Sequence, residues 1–249
     1  MKSSRAAASV KPSRAKRSAK VAKPPTASRA KARGRSSKQL AANSPFTELR
    51  FAVADKASTA RVYRAATPAG RLLVLAHGAG ANQAHAFMVG FAVALAARGI
   101  DVVTFDFWYS AAGRGAPDRN DALESCWRAA LALARAQFGG RVPFIGGKSM
   151  GGRIGSHLAA AGDEARGLVL LGYPLHPPKQ PEKLRVEHLP RVMLPTLIVQ
   201  GERDPFGSPD ELRAHFGVTT EIVALPGAHS YDDKAWPRAH ALVADFILR

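Results

Sequence analysis

From Phe46 onward the chain alternates short runs dense in Val, Ile and Leu with longer runs in which apolar residues recur every three or four positions. The first kind reads as strands and the second as amphipathic helices. Strands are expected over residues 48–54, 60–65, 71–76, 101–105, 142–146, 167–171, 195–199 and 220–224. Helices are expected over 85–98, 120–137, 150–161, 210–216 and 236–248. Strands alternating with helices of this length make crossover units, so the pattern predicts an α/β fold, a mostly parallel sheet with helices on both faces.

Composition divides the chain. Residues 1–44 are mostly Ala, Lys, Arg, Ser and Pro, with too few large apolar side chains to offset the entropy of ordering, and are expected to be a disordered tail. The folded domain is expected over 45–249. Net charge is +17, yet 13 of the basic residues lie in 1–47, where there is no acid, whereas 48–249 holds 23 basic against 19 acidic residues. The excess charge therefore argues for nonspecific polyanion contact through the tail, with a dispensable extension as the alternative, and not for a basic nucleic-acid-binding fold. A single cysteine, Cys126, excludes a disulfide framework and a Cys-rich metal site, which suits a reducing cytoplasm. No metal and no organic cofactor is implied. The uncharged stretch 72–97 contains two histidines, Asn82, Gln83 and three glycines, and does not read as a membrane span.

The string GGKSMGGR begins at Gly146 and places Gly147, Ser149 and Gly151 in a G-x-S-x-G pattern between an expected strand and an expected helix. In that context a serine sits on a tight turn and projects above the sheet, beside the free N–H groups of the helix N-terminus. A serine nucleophile needs a base and an orienting acid. Asp204, in QGERDPFG, and His229, in PGAHSY, each follow an expected strand, in the chain order Ser, Asp, His. Glu202 is the alternative acid. The oxyanion donors are expected from the backbone of Met150 and of Ala79, in the loop HGAGAN after the third strand. His77 is expected to shape that loop.

A rival pattern shares the same residues. LLVLAHGAGANQ, a helix and then DVVTFD resemble the opening of a dinucleotide-binding unit, with Asp106 as the ribose-binding acid. The third glycine of that fingerprint is replaced by Gln83.

With Ser149, Asp204, His229 and the HGAG loop in place, residues 46–249 resemble a compact α/β-hydrolase of the dienelactone-hydrolase-like group. More narrowly, HGAGAN, FDFWYSAAGRGAPDR, GYPLHPPKQPEKLRVEHL and QGERDPFG with GAHSY resemble the branch that includes testis-expressed protein thirty. The resemblance implies the α/β-hydrolase fold and a triad of Ser149, Asp204 and His229, and it implies no substrate. That branch tends to carry proline in place of Trp108. The 23 residues between Leu171 and Pro195 are too few for a helical cap domain, and Pro177, Pro178 and Pro181 disfavour a long helix there, so an open site is expected. Trp108, Tyr109, Tyr173, Arg185 and His188 are candidate substrate-binding residues, with a structural role as the alternative; Lys148, Arg153 and Arg185 would favour an anionic substrate or else are solvated or capping charges. The expected activity is serine hydrolysis of a small-molecule ester or thioester. A catalytically weak binding or scaffold protein with the same fold, its tail contacting a polyanion, is the alternative.

Overall fold

The computed structural model describes residues 44–249; the tail expected over residues 1–44 lies outside the described residues but for Ser44. Eight strands form one sheet: β1 (Thr47–Val53), β2 (Lys56–Tyr63), β3 (Arg71–Ala76), β4 (Ile100–Phe105), β5 (Phe144–Lys148), β6 (Leu168–Leu171), β7 (Thr196–Gly201) and β8 (Thr220–Leu225). Their order is β1-β2-β4-β3-β5-β6-β7-β8. β1 and β2 pair antiparallel, as do β2 and β4, and every other pair is parallel. The helices are α1 (Ala86–Ala96), α2 (Trp108–Ala111), α3 (Asn120–Gln137), α4 (Met150–Ala160), α5 (Pro209–Arg213) and α6 (Trp236–Leu248).

β3 explains why the central strands are continuous apolar runs. Leu72, Val74 and Ala76 face one buried cluster with Cys126, Trp127 and Ile154 of α3 and α4. Leu73 and Leu75 face the other, with Phe87, Phe91 and Leu95 of α1 and Val243 and Ile247 of α6. Helices cover both faces, so no position along the strand is free to be polar. α1 contains no charged residue, since it packs on the sheet on one side and touches α6 on another.

Two boundaries differ from expectation for a physical reason. The strand expected to end at Gly146 runs on through Gly147 to Lys148, because glycine there answers close packing and does not mark a turn. A Cβ on Gly147 would lie 2.5 Å from the backbone of Gly151 and Gly152 and 2.8 Å from the Ala76 carbonyl. β2 starts at Lys56, earlier than expected, because the hairpin pairs Val53 with Lys56 across Ala54 and Asp55, and that edge position tolerates polar residues. The four-residue helix α2 was not expected at all. Between β6 and β7 the described chain holds a single 3₁₀ turn, Leu189–Arg191, and no cap domain. Among the described residues no helix is long and apolar enough to cross a membrane.

The connection leaving β3 leads to β4 on one side, while β5 pairs with β3 on the other. Loops diverging from two neighbouring parallel strands open a crevice beyond their carboxyl ends. The HGAGAN loop follows β3 and Ser149 follows β5, so both stand at that crevice.

Candidate active site

Ser149 joins β5 to α4 with φ 52° and ψ −120°, a conformation that costs a non-glycine residue of the order of 1–3 kcal/mol. Backbone bonds hold it there. Its N–H donates to the Leu171 carbonyl at 3.0 Å, and its own carbonyl accepts from Arg153 N–H at 3.0 Å. The glycine at 151 lets α4 press against the loop after β3, since a Cβ there would lie 2.5 Å from the carbonyl oxygens of Ala76 and His77. Trp127 Nε1–H donates to the Gly151 carbonyl at 3.2 Å and fixes the first turn of α4 from below.

Asp204 follows β7 and is buried. Its Oδ2 is 2.7 Å from His229 Nδ1 and accepts from Gln200 Nε2 at 2.9 Å, and its Oδ1 accepts from the Phe206 N–H at 2.9 Å. Three bonds to one carboxylate leave it one orientation. Glu202, the alternative acid, is exposed and makes no hydrogen bond to His229 among the described residues. His229 follows β8, and with Nδ1 committed to Asp204 its Nε2 is the nitrogen left for the cavity that His229 and Ser149 both line. The Phe206 ring packs against the imidazole, with centroids 4.4 Å apart.

The loops carrying the acid and the histidine are laced together. Glu202 N–H donates to Leu225 and Arg203 N–H to Gly227, while the buried Tyr231 hydroxyl donates to the Val199 carbonyl at 2.7 Å. Lys148 adds a tie from the Ser149 side, its Nζ donating to the His229 carbonyl at 2.6 Å. Burial lowers the Lys148 pKa to about 7, with the Asp204 charge opposing the shift. Gln200 clasps the acid from behind. Its amide oxygen accepts from Tyr173 N–H at 2.7 Å, and its nitrogen lies within 2.8–3.2 Å of Gly207 O, Asp204 Oδ2 and Tyr173 O.

The loop after β3 is equally constrained. His77 Nδ1 donates to the Gly78 carbonyl at 2.8 Å and its Nε2 accepts from Phe107 N–H at 3.1 Å, so the ring is neutral with its proton on Nδ1, and burial lowers its pKa. Gln83 N–H and Nε2 donate to Asp106 at 2.7 and 3.1 Å. The carboxylate that the dinucleotide pattern would aim at a ribose is thus spent on holding this loop. Ala79 and Met150 both line the cavity, and neither N–H is taken by a backbone acceptor among the described residues.

The cavity has a volume of about 510 Å³. Of the candidate substrate-binding residues, Arg185 lines it, whereas Trp108, Tyr109 and Tyr173 belong to the buried core. Their sequence signal was aromatic character near an expected loop; the rings instead fill the space under α2 and the 172–194 segment. His188 lies in a neighbouring cleft, bonded to Ser156 at 2.7 Å. That pair does not form a triad. Ser156 is inside α4 and donates to the Arg153 carbonyl at 2.6 Å, so His188 must present N–H to it, and no carboxylate holds the ring. Burial and the neighbouring His157 push the His188 pKa down to about 3, so it stays neutral. Among the described residues no group of three or more His, Cys, Asp or Glu side chains is placed to hold a metal ion.

A family model described as an alpha/beta hydrolase domain matches residues 69–236. Similar solved structures include an α/β serine hydrolase homologue from Coxiella burnetii, at 17% identity and TM-score 0.66, covering 80% of this chain and 96% of that one. A serine hydrolase without lid from Xanthomonas campestris is 20% identical, with TM-score 0.67 and coverage of 81% and 93%. A dienelactone hydrolase from Anabaena variabilis is 16% identical, with TM-score 0.66 and coverage of 82% and 97%. At these identities the likeness is one of fold.

Proposed function

From the premise that this chain belongs to the α/β-hydrolase family, we propose that it is a serine hydrolase that cleaves a carboxylic ester or thioester, with Ser149 as nucleophile, His229 as base and Asp204 as the orienting acid. The observation that carries this is the 2.7 Å bond from His229 to the buried Asp204, with the strained Ser149 lining the same cavity.

In this reading His229 Nε2 takes the Ser149 proton as Oγ attacks the substrate carbonyl, and Asp204 balances the imidazolium that forms. The tetrahedral oxyanion is held by the N–H groups of Ala79 and Met150, each such donor contributing about 3 kcal/mol to the transition state. His229 then gives the proton to the departing alcohol or thiol, which leaves an acyl-enzyme. Water repeats the sequence, its proton passing to His229 and then to Ser149 as the acid is released. No metal or organic cofactor enters these steps. The tail belongs to the same proposal only as a nonspecific contact to polyanions, and a reducing cytoplasmic setting suits the lone buried thiol of Cys126.

The test is labelling by a fluorophosphonate, which needs only an activated serine. The adduct should map to Ser149 and vanish in Ser149→Ala, whose ester turnover should fall by up to about 10⁶-fold. A folded wild-type chain that takes no label would refute the assignment and favour the scaffold reading.

A further inference from the structure

Beyond Ser149 and His229, the charged side chains that line the cavity are Lys148, Arg153, Arg185 and one acid, Asp118, which is already ion-paired with Arg114 at 2.7 Å. Partly buried arginines ordinarily face a carboxylate. Neither Arg153 nor Arg185 does among the described residues. Arg153 reaches the Asn120 amide oxygen and the His157 ring, each at 3.3 Å, and Arg185 reaches the Pro174 carbonyl at 3.3 Å.

Several effects oppose a cation at Arg153. Burial, and after it the charge of Arg185, lower its pKa. It also stands four residues after Ser149, one turn into α4, where the helix dipole disfavours positive charge. The nearby acids do not compensate. Glu124 is bonded to His157 at 3.0 Å and lies near Arg128, and Glu187 is exposed at the adjoining cleft. The fold leaves two partly exposed guanidiniums with donors unused by the protein beside Ser149, a pair that a bound anion would engage more strongly than water does.

We propose that Arg153 and Arg185 form an anion-binding subsite, and that the ester or thioester substrate carries a carboxylate or phosphate group. The proposal rests on Ser149 being the nucleophile. Arg153 stands one helical turn after Ser149, about 6 Å along the axis, and both arginines line the same cavity as Ser149, so a substrate seated on Ser149 has its far end within that cavity's positive wall. The arginines orient the substrate and favour it over uncharged esters of the same length, while the bond that breaks is still the substrate's acyl–oxygen or acyl–sulfur bond, attacked by Ser149.

A matched pair of substrates tests it: 4-nitrophenyl hexanoate and the mono-4-nitrophenyl ester of adipic acid, which differ in a terminal methyl against a carboxylate. Wild-type protein at low salt should favour the anionic ester by at least about tenfold in kcat/KM, chiefly through KM. That ratio should fall to about 1 in Arg153→Gln with Arg185→Gln, and hold in Arg128→Gln, whose guanidinium pairs with Asp163 elsewhere on the surface. Each ratio is internal to one preparation, so partial unfolding of a variant does not disturb it. A wild-type ratio at or below 1, or a preference that survives the double variant, overturns the subsite. Calorimetric binding of benzoate and of phenyl phosphate separates the carboxylate and phosphate cases without turnover. Binding lost in the double variant alongside failed Ser149 labelling would refute the hydrolase reading and keep the subsite; labelling with binding unchanged would do the reverse.

Discussion

Lys148 illustrates what a single position can conceal. In the sequence it is the variable residue of a G-x-S-x-G pattern, whereas in the fold its ammonium is buried and tied to the backbone of the histidine loop. With its pKa near 7 in the folded chain and near 10.5 in the unfolded one, the unfolded chain holds the extra proton between those values. Stability must therefore rise with pH from about 7 upward, and by pH 9 the Lys148 contribution should amount to roughly 2–3 kcal/mol. Urea unfolding of wild type and Lys148→Met at pH 7 and pH 9 measures it; the rise should be smaller in the variant by that amount. Asp204→Asn is expected to keep the fold and lower kcat about 10³–10⁴-fold, through loss of the tautomer-setting acceptor. The placement of Ser149, Asp204 and His229 at neighbouring strand ends is legible because each follows a recognisable strand, in the chain order that the proposed chemistry demands. Gln200 and Tyr231 are not, because their roles consist of bonds to groups of other loops, mostly backbone, that only the fold brings within reach.

At the level of elements, the turn from β5 into α4 rests on where α4 touches its neighbours. Gly151→Ala would drive a methyl against two carbonyl oxygens of the β3 loop and should destabilise the chain by roughly 3 kcal/mol, since neither element can retreat. Gly155→Ala, in the same helix, meets nothing nearer than 3.7 Å and should be neutral or stabilising by up to about 1 kcal/mol. Denaturant midpoints of the two variants check the contrast. The close approach that Gly147 and Gly151 permit is legible from their places two before and two after Ser149, but the end of the strand is not. At Gly146 and Gly147 glycine marks strands and helices in close approach, and a reading based on turn propensity ends the strand too early. The long helices α3 and α6 were legible to the residue, because their apolar period is sustained over several turns.

For the whole molecule, the alternation of strands and helices announces a parallel sheet, but the strand order and the antiparallel β1–β2 edge follow from pairing and have no local signal. The tail makes a separate prediction. Deleting residues 1–44 should leave esterase turnover and melting temperature unchanged while abolishing a steeply salt-dependent binding to heparin or single-stranded DNA, measured by anisotropy. The segment between β6 and β7 is too short and too proline-rich to fold over the site, so no element of the described chain must swing aside before a substrate reaches Ser149. An esterase whose lid shields apolar surface speeds up when its substrate forms droplets or micelles; among the described residues this chain has no lid of that kind. Its rate on a short-chain ester should follow simple saturation up to the solubility limit, with no jump as the emulsion appears.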